Sequence, residues 1–517
     1  MARRAWASHD WATVDACAVN ILRLNNKSAE GHFLKGLVEN AAIRPVNATE
    51  AFARALELDP ARYDAAIELA GQHSIGRRNA QAAELLDRYS DKLGNSPRYL
   101  DRAGTIYNEI GLAEKAWPLY KKANELQPGI DLFTANLAAC GVYLGKIEEA
   151  GQAYRELLKR VPHHQRNHYY LARLKKAVND EHVKEMKAVL EATQLPPERN
   201  VFIYYALGKE LEDLGRWPEA FEYFRKAGDA VTSVANYDIN EDLALIDSII
   251  DTCTREWLED SPVSSANVYP PKTPIFVVGL PRTGTTLTER ILSSHSQVES
   301  VGETQFLQMV IRKVSEVASV EPMNPDMIRA ASQKPMERIG REYLDSIAYR
   351  LGEKPMFIDK LPFNFLFVGF IAKAYPHARI VHLRRNPMDS CFSMYKQVFT
   401  WAYKFSYSID ALGKYFVAHE RLREHWLKTL GDRMVEVEYE ELVGDQEAQT
   451  RRLLERLGLP FEEACLAFDK NKAPTATASS VQVREKIHTR SVNRWKNFET
   501  ELAPLRTYLE QNGIVVE

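Results

Sequence analysis

Pro274-Ile275-Phe276-Val277-Val278-Gly279-Leu280-Pro281-Arg282-Thr283-Gly284-Thr285-Thr286-Leu287 carries four β-branched or aromatic residues in a row, Ile275 to Val278. A run without polar alternation is the pattern of a strand covered on both faces. Gly279 and Gly284 bracket a tight loop, and a helix is expected to start at Thr285 or Thr286. Strand, loop and helix in that order aim backbone N–H groups and a helix N-terminus at an anion. Arg282, inside the loop, adds a cation. The stretch reads as a cradle for a phosphorylated group; the plainer alternative is an ordinary strand–turn–helix of an α/β domain.

The glycine spacing is G-x-x-x-x-G, but Thr285 stands where the lysine follows in loops that hold β- and γ-phosphates with Mg²⁺. The expected ligand is therefore a phosphorylated group other than a nucleoside triphosphate. With 517 residues, two or more domains are expected. A hydrophobic fraction of 45% supports sizeable cores, and a net charge of -3 gives no reason to expect nucleic acid or an anionic membrane as partner. Cys17, Cys140, Cys253, Cys391 and Cys465 lie far apart and read as buried thiols of a reducing compartment, without disulfide or zinc site. No apolar run approaches the ~20 residues that span a bilayer, and the start Met1-Ala2-Arg3-Arg4 lacks a signal-peptide core. A cytoplasmic location is expected.

Residues 1–230 are helical in pattern, and a period emerges on alignment. Gly111, Ala116, Tyr120, Ala123 and Pro128 recur as Gly145, Ala150, Tyr154, Leu157 and Pro162, and again as Gly215, Ala220, Phe224 and Ala227. An earlier copy keeps Ala48, Phe52, Ala55 and Pro60 without the glycine. The steps of 34 to 35 residues resemble the tetratricopeptide repeat, an all-α solenoid in which small residues let helices cross closely and an aromatic fills the next hole. Four to six repeats are expected, with 80–97 and 163–197 degenerate. Such arrays usually bind peptides or proteins; the alternative is a scaffold that only docks on the second domain. His164 and His168 share a helix face beside His163, but no carboxylate or cysteine completes a metal site, so a solvated cluster is expected. Residues 231–272 read as a helical connector, helical over Asp242 to Ile250 and broken at Ser261-Pro262 and Tyr269-Pro270-Pro271.

Residues 273–517 alternate strands and helices. A short strand over 297–303 delivers Gly302-Glu303-Thr304; helices are expected at 306–317 and 326–350. Further strands are expected at 356–358, ending in Asp359-Lys360-Leu361-Pro362, at 379–383, ending in Arg384-Arg385, and at 434–439, with a helix over 388–395. That alternation predicts an α/β domain with a parallel sheet and helices on both faces. Arg282, Lys360, Arg385 and Tyr439 gather past strand ends, the edge where such sheets bind ligands. Strand periodicity lets only one of Arg384 and Arg385 point inward, and Arg385 is preferred.

From about Ile275 to Trp495 the sequence resembles the sulfotransferases that use 3′-phosphoadenosine 5′-phosphosulfate (PAPS), most closely the protein-tyrosine sulfotransferase branch. With the repeats in front it resembles a bacterial-type tetratricopeptide-repeat sulfotransferase with a P-loop-like domain. Pro281 to Leu287 resembles the family's 5′-phosphosulfate loop, with Thr283 where serine is usual. The resemblance implies that Arg282, Thr283, Gly284, Thr285, Thr286 and Leu287 hold the phosphosulfate. It implies that Arg385 and Ser393 hold the 3′-phosphate, Glu303 is the catalytic base and Lys360 the catalytic lysine, with Arg282 assisting. Ser480 and Arg494-Trp495 resemble a serine and a lysine–tryptophan pair of the segment that closes over the nucleotide, Arg494 departing from lysine. No metal is implied.

Chemically, Lys360 suits charge growing on a leaving phosphate, and Glu303 suits a hydroxyl proton. The rival roles are a salt bridge of Lys360 with Asp359, and Glu303 as a first-turn carboxylate of the next helix. His295 is a second candidate base. Tyr439 and Trp495 either flank adenine or belong to the core. The acceptor is an open question, a tyrosine of a peptide or protein docked by the repeats being one answer, and a homodimer is open too. Two other function classes stand beside this one: a P-loop kinase or nucleotidase, and a catalytically silent repeat scaffold.

Overall fold

The computed structural model describes residues 1–260, 272–399, 402–475, 477 and 479–516. The breaks expected at Ser261-Pro262 and Tyr269-Pro270-Pro271 lie outside the described residues. The chain divides into two compact units, Met1–Ala153 and Tyr154–Glu517.

The first unit is built of tetratricopeptide-like helix pairs, among them Ala29–Ala41 with Pro45–Leu58 and Pro97–Glu109 with Ala113–Leu126. In three of the four aligned copies the aromatic sits over a glycine sixteen positions earlier; the Tyr154 copy has Ala138 there. A Cβ on Gly36 would lie 2.6 Å from the Phe52 ring, and one on Gly104 would lie 3.0 Å from Tyr120. In the second unit a Cβ on Gly208 would lie 2.5 Å from Phe224. The aligned glycines turn between paired helices with φ of +79° at Gly111, +76° at Gly145 and +75° at Gly215. Where the glycine is missing the turn survives: Ile43 and Arg77 take the same left-handed conformation, at φ +56° and +58°. The degenerate copies keep the geometry and lose the residue suited to it.

The second unit begins with further array helices, including Gln165–Leu174, Val201–Asp213 and Trp217–Thr232. Phe221 and Phe224 of the last of these join a core shared with the sheet, the Phe224 ring 6.2 Å from Phe392. Packing thus divides the chain earlier than the end of the repeats expected at residue 230. Helix Ile239–Thr252 of the expected connector buries Leu245, Ile246 and Ile249 in the same core.

Five parallel strands form the sheet: β1 (Thr273–Gly279), β2 (Val298–Gly302), β3 (Met356–Lys360), β4 (Arg379–Arg384) and β5 (Met434–Glu438), in the order β2-β3-β1-β4-β5. Ile275 and Val277 bury on one face with Val381 and Leu454, and Phe276 and Val278 on the other with Ile380 and Trp426. That is why β1 shows no alternation. β3 runs on to Lys360, two residues past the expected end. The helical stretch expected over 326–350 is two helices, Pro325–Ser332 and Met336–Ile347, because Pro335 cannot donate within a helix. A 22-residue helix, Ile409–Leu430, adds to the Phe276 side and has no counterpart in the sequence expectations. β1 has neighbours on both sides, so the loop after it opens at the point where strand order reverses, where open sheets take their ligands. Among the described residues no helix is long and apolar enough to cross a membrane, and all five cysteines are free thiols.

Candidate active site

The loop after β1 is shaped by backbone that only glycine adopts comfortably. Gly279 has φ +144° and a Cβ there would sit 2.7 Å from the Leu383 carbonyl oxygen; Gly284 has φ +101° and a Cβ would sit 2.7 Å from the Tyr439 ring. Between them Arg282 itself is left-handed, at φ +69°. Thr283 donates its hydroxyl to the Leu280 carbonyl at 2.8 Å, tying the loop to itself. The helix Thr285–Ser293 starts with no side-chain cap, which leaves its first-turn N–H groups to an anion. Thr285 and Thr286 are buried at this start, while Leu287 turns into the apolar core on the Ile275 side of the sheet.

A carboxyl-terminal segment straps the cradle. Arg282 donates to Ser479 and, at 2.6 Å, to Gln482; the Thr286 and Thr477 hydroxyls lie 3.5 Å apart. Arg290 anchors the near end of the strap at the Ala473 carbonyl, 2.8 Å away. Ser480, singled out by sequence, is buried and its N–H bonds the Thr477 carbonyl, whereas its neighbour Ser479 meets Arg282. Burial, with Arg173 and Arg385 near, lowers the Arg282 pKa to about 10. An anion in the cradle would relieve that crowding.

Lys360 ends β3 with no exposure at all. Its ammonium contacts the Glu303 carboxylate and stands 3.5 Å from that of Glu289. Burial opposes the charged lysine, but Glu303 and Glu289 outweigh it and raise its pKa. Glu303 stays about one-third exposed and does not cap the next helix, Phe306–Ser315, which has Gln305 at its N-cap. Asp359 points to the other face of the strand, where it accepts from Thr304 and Tyr343 at 2.6 Å each and from Asn364 at 3.1 Å. The Thr304–Asp359 bond therefore fixes the Glu303 loop relative to Lys360, and the salt bridge considered between Lys360 and Asp359 does not form. Burial pushes the Asp359 pKa up to about 6. Sequence inspection missed Glu289; its position one helical turn beyond Thr285 was the available signal.

Arg385 and Ser393 meet, Nη1 to Oγ, at 3.2 Å. The same guanidinium donates to the Arg282 carbonyl at 2.8 Å and the Ser491 carbonyl at 2.5 Å and lies 4.8 Å from the Tyr439 ring centroid. Its Nε is buried with no protein partner, as a phosphate-binding fork requires. Arg384 turns the other way and pairs with Glu438 of β5. Tyr439, 9% exposed, packs on Gly284 and Arg385, and Trp495 is core. Arg494 donates to Glu212, 2.9 Å away.

His295 is not near the pair of Lys360 and Glu303. Its ring is fully buried, Nε2 against the Pro460 carbonyl at 2.9 Å and Nδ1 accepting from the Gln297 N–H at 3.0 Å. Of the histidine cluster expected to be solvated, His163 and His164 are exposed, but His168 is 2% exposed, between the Pro162 carbonyl at 2.7 Å and His182 at 2.9 Å, with Glu210 2.6 Å from His182. Its burial lowers its pKa to about 4. On the Phe276 side of β1, a small recess is walled by Leu280 and Pro281 of the loop, Phe363, Tyr403, Phe405 and His419.

Residues 274–463 match the family model described as "Sulfotransferase family". An uncharacterized protein of Aquifex aeolicus (strain VF5) is 31% identical over 422 residues, 80% of this chain and 55% of that one. The protein-tyrosine sulfotransferase 1 of Danio rerio is 27% identical over 232 residues, 43% of this chain and 65% of that one. The chain thus spans about half to two-thirds of the length of these relatives. A solved sulfotransferase domain from the Synechococcus PCC 7002 olefin synthase aligns with 48% of this chain and 96% of its own at 20% identity and a TM-score of 0.35. The match to the sulfotransferase family thus falls on residues 274–463, which follow tetratricopeptide-like helix pairs in the chain.

Proposed function

We propose that the protein transfers a sulfuryl group from PAPS to an acceptor hydroxyl, a tyrosine of a peptide or protein being the acceptor class. The single observation that carries this is the contact of Lys360 with Glu303 beside the glycine cradle. One contact supplies an acceptor for an incoming proton and a cation for outgoing charge. The cradle suits the donor's phosphates: two glycines without room for a Cβ, an uncapped helix start, and the unpartnered Nε of Arg385. When bound, the donor supplies a sulfuryl group on a phosphate leaving group. Glu303 takes the hydroxyl proton as the acceptor oxygen bonds to sulfur. Lys360 meets the electron pair left on the phosphate oxygen as the old S–O bond breaks, and Arg282 shares that charge. Arg385 and Ser393 would hold the 3′-phosphate.

The tyrosine acceptor rests on the named relative and on the aromatic walls. Tyr403 lies close enough to Glu303 for that carboxylate to add to its pKa rise, behind burial, and its ring is 5.9 Å from Phe363. A phenol has a pKa near ~10, so a carboxylate suffices to assist its ionisation. The test is transfer of labelled sulfate from PAPS to a tyrosine peptide and to its phenylalanine counterpart. Transfer to the first alone supports the proposal. Transfer to neither peptide, with magnesium-dependent ATP turnover instead, overturns it in favour of a kinase.

A further inference from the structure

We infer that Glu212, on a helix of the repeat array, is a positioning residue for the 3′-phosphate of the donor, acting through Lys396 and Arg494. The inference rests on the donor assignment above. Glu212 lies at the end of helix Val201–Asp213, just before the repeat glycine Gly215, and is 5% exposed. Its Oε1 accepts from Lys396 Nζ at 2.7 Å and from Arg494 Nε at 2.9 Å.

These contacts lead back toward Arg385 from two sides. Lys396 caps the helix Pro387–Tyr395 one turn beyond Ser393, so the two share a face, and Ser393 meets Arg385. On the other side, Asp389 lies 4.0 Å from Arg385 and accepts the N–H groups of Asn493 and Trp495, at 2.6 and 2.9 Å. Those two residues flank Arg494, whose guanidinium also lies 5.3 Å from the ring centroid of Trp217, on the next array helix. Glu212 thus links Lys396, on the Ser393 side of Arg385, to Arg494, on the Asp389 side, and it is the member supplied by the repeats.

Three cations and two carboxylates in this group, Lys396 and Arg494 partly exposed and the others buried, leave a net positive charge for a phosphate. Burial depresses the Lys396 pKa, Glu212 opposes that, and Arg494 and Arg385 add to the depression. Without the Glu212 carboxylate, Lys396 and Arg494 lose the acceptor that holds them both, and each regains its rotamer freedom.

The experiment compares binding of adenosine 3′,5′-bisphosphate and of 5′-AMP to the full chain, by calorimetry, for wild type and Glu212→Gln, with Glu212→Asp as the conservative control. Two charge-assisted contacts weakened in Glu212→Gln should cut the preference for the bisphosphate by about tenfold or more, while 5′-AMP affinity changes by less than about threefold. Glu212→Asp should restore part of the preference. An unchanged preference in Glu212→Gln, including a parallel loss for both nucleotides with a lowered melting temperature, assigns Glu212 a structural role and overturns the inference. Wild-type protein that does not distinguish the nucleotides overturns the donor assignment itself, and this inference with it.

Discussion

Lys360 is wholly enclosed at the end of β3, yet its ammonium touches the one-third-exposed carboxylate of Glu303. A buried cation in contact with an accessible acid is a poor stabilising device, because desolvation consumes most of the attraction. It suits a site where charge must move outward during reaction. Glu303→Gln keeps the shape and a hydrogen bond but loses the proton acceptor. Turnover should fall by about a hundredfold or more, with affinity for adenosine 3′,5′-bisphosphate within about threefold of wild type. Steady-state kinetics with calorimetry decides it; full activity in Glu303→Gln moves the base elsewhere.

Lys360→Ala removes the cation that faces both Glu303 and Glu289. Turnover should drop by about a hundredfold or more. The two unpaired carboxylates should also cost stability, on the order of 3 kcal/mol. Lys360→Arg restores the charge and should recover the melting temperature more than the rate, since a planar fork cannot occupy the same space. Equal recovery of both would show that charge alone is needed.

Burial gives Asp359 a pKa of about 6, above its unfolded value near ~4. The raised value means the folded chain binds the proton more tightly. Asp359 therefore adds stability below pH ~4 and loses it as pH rises through about 6. In Asp359→Asn that dependence disappears, and the amide sets an N–H group against the Thr304 and Tyr343 donors or the Asn364 amide. Urea titrations at pH 4.5 and 7 should show the wild-type advantage over the variant growing toward the acid side. A constant difference would contradict the raised pKa.

Gly284→Ala places a Cβ against the Tyr439 ring at a φ that side chains rarely adopt. The cradle should open and nucleotide affinity fall by about tenfold or more, with strain of roughly 1–3 kcal/mol in stability. Unchanged affinity would remove the loop from the binding site.

Ile43 is 87% exposed at φ +56°, in a turn where other copies have glycine. Ile43→Gly relieves roughly 1–2 kcal/mol of left-handed strain, against roughly 0.5–1 kcal/mol of extra backbone entropy in the unfolded chain. The first unit should gain up to about 1.5 kcal/mol, read by native-state hydrogen exchange in its helices. A loss of protection would show that Ile43 is not strained.

Local pattern was enough for much of this protein. An unbroken apolar run made β1 a central strand, Gly279 and Gly284 marked a turn that no Cβ fits, and the spacing of Gly111, Gly145 and Gly215 gave the repeat. Each depends on neighbours in sequence, where chain sterics act directly. Partners far apart in sequence were decided only by the tertiary structure. Which way Asp359 and Lys360 face depends on the flank of β3 that Thr304 and Tyr343 occupy, and on Glu289 arriving from another helix. The enclosure of His295 and His168, and the reach of Glu212 to Arg494 across 282 positions, likewise come from packing. Long-range ion pairs and the enclosure of single polar side chains leave no periodic trace in a sequence, because they depend on which surfaces the folded chain brings together.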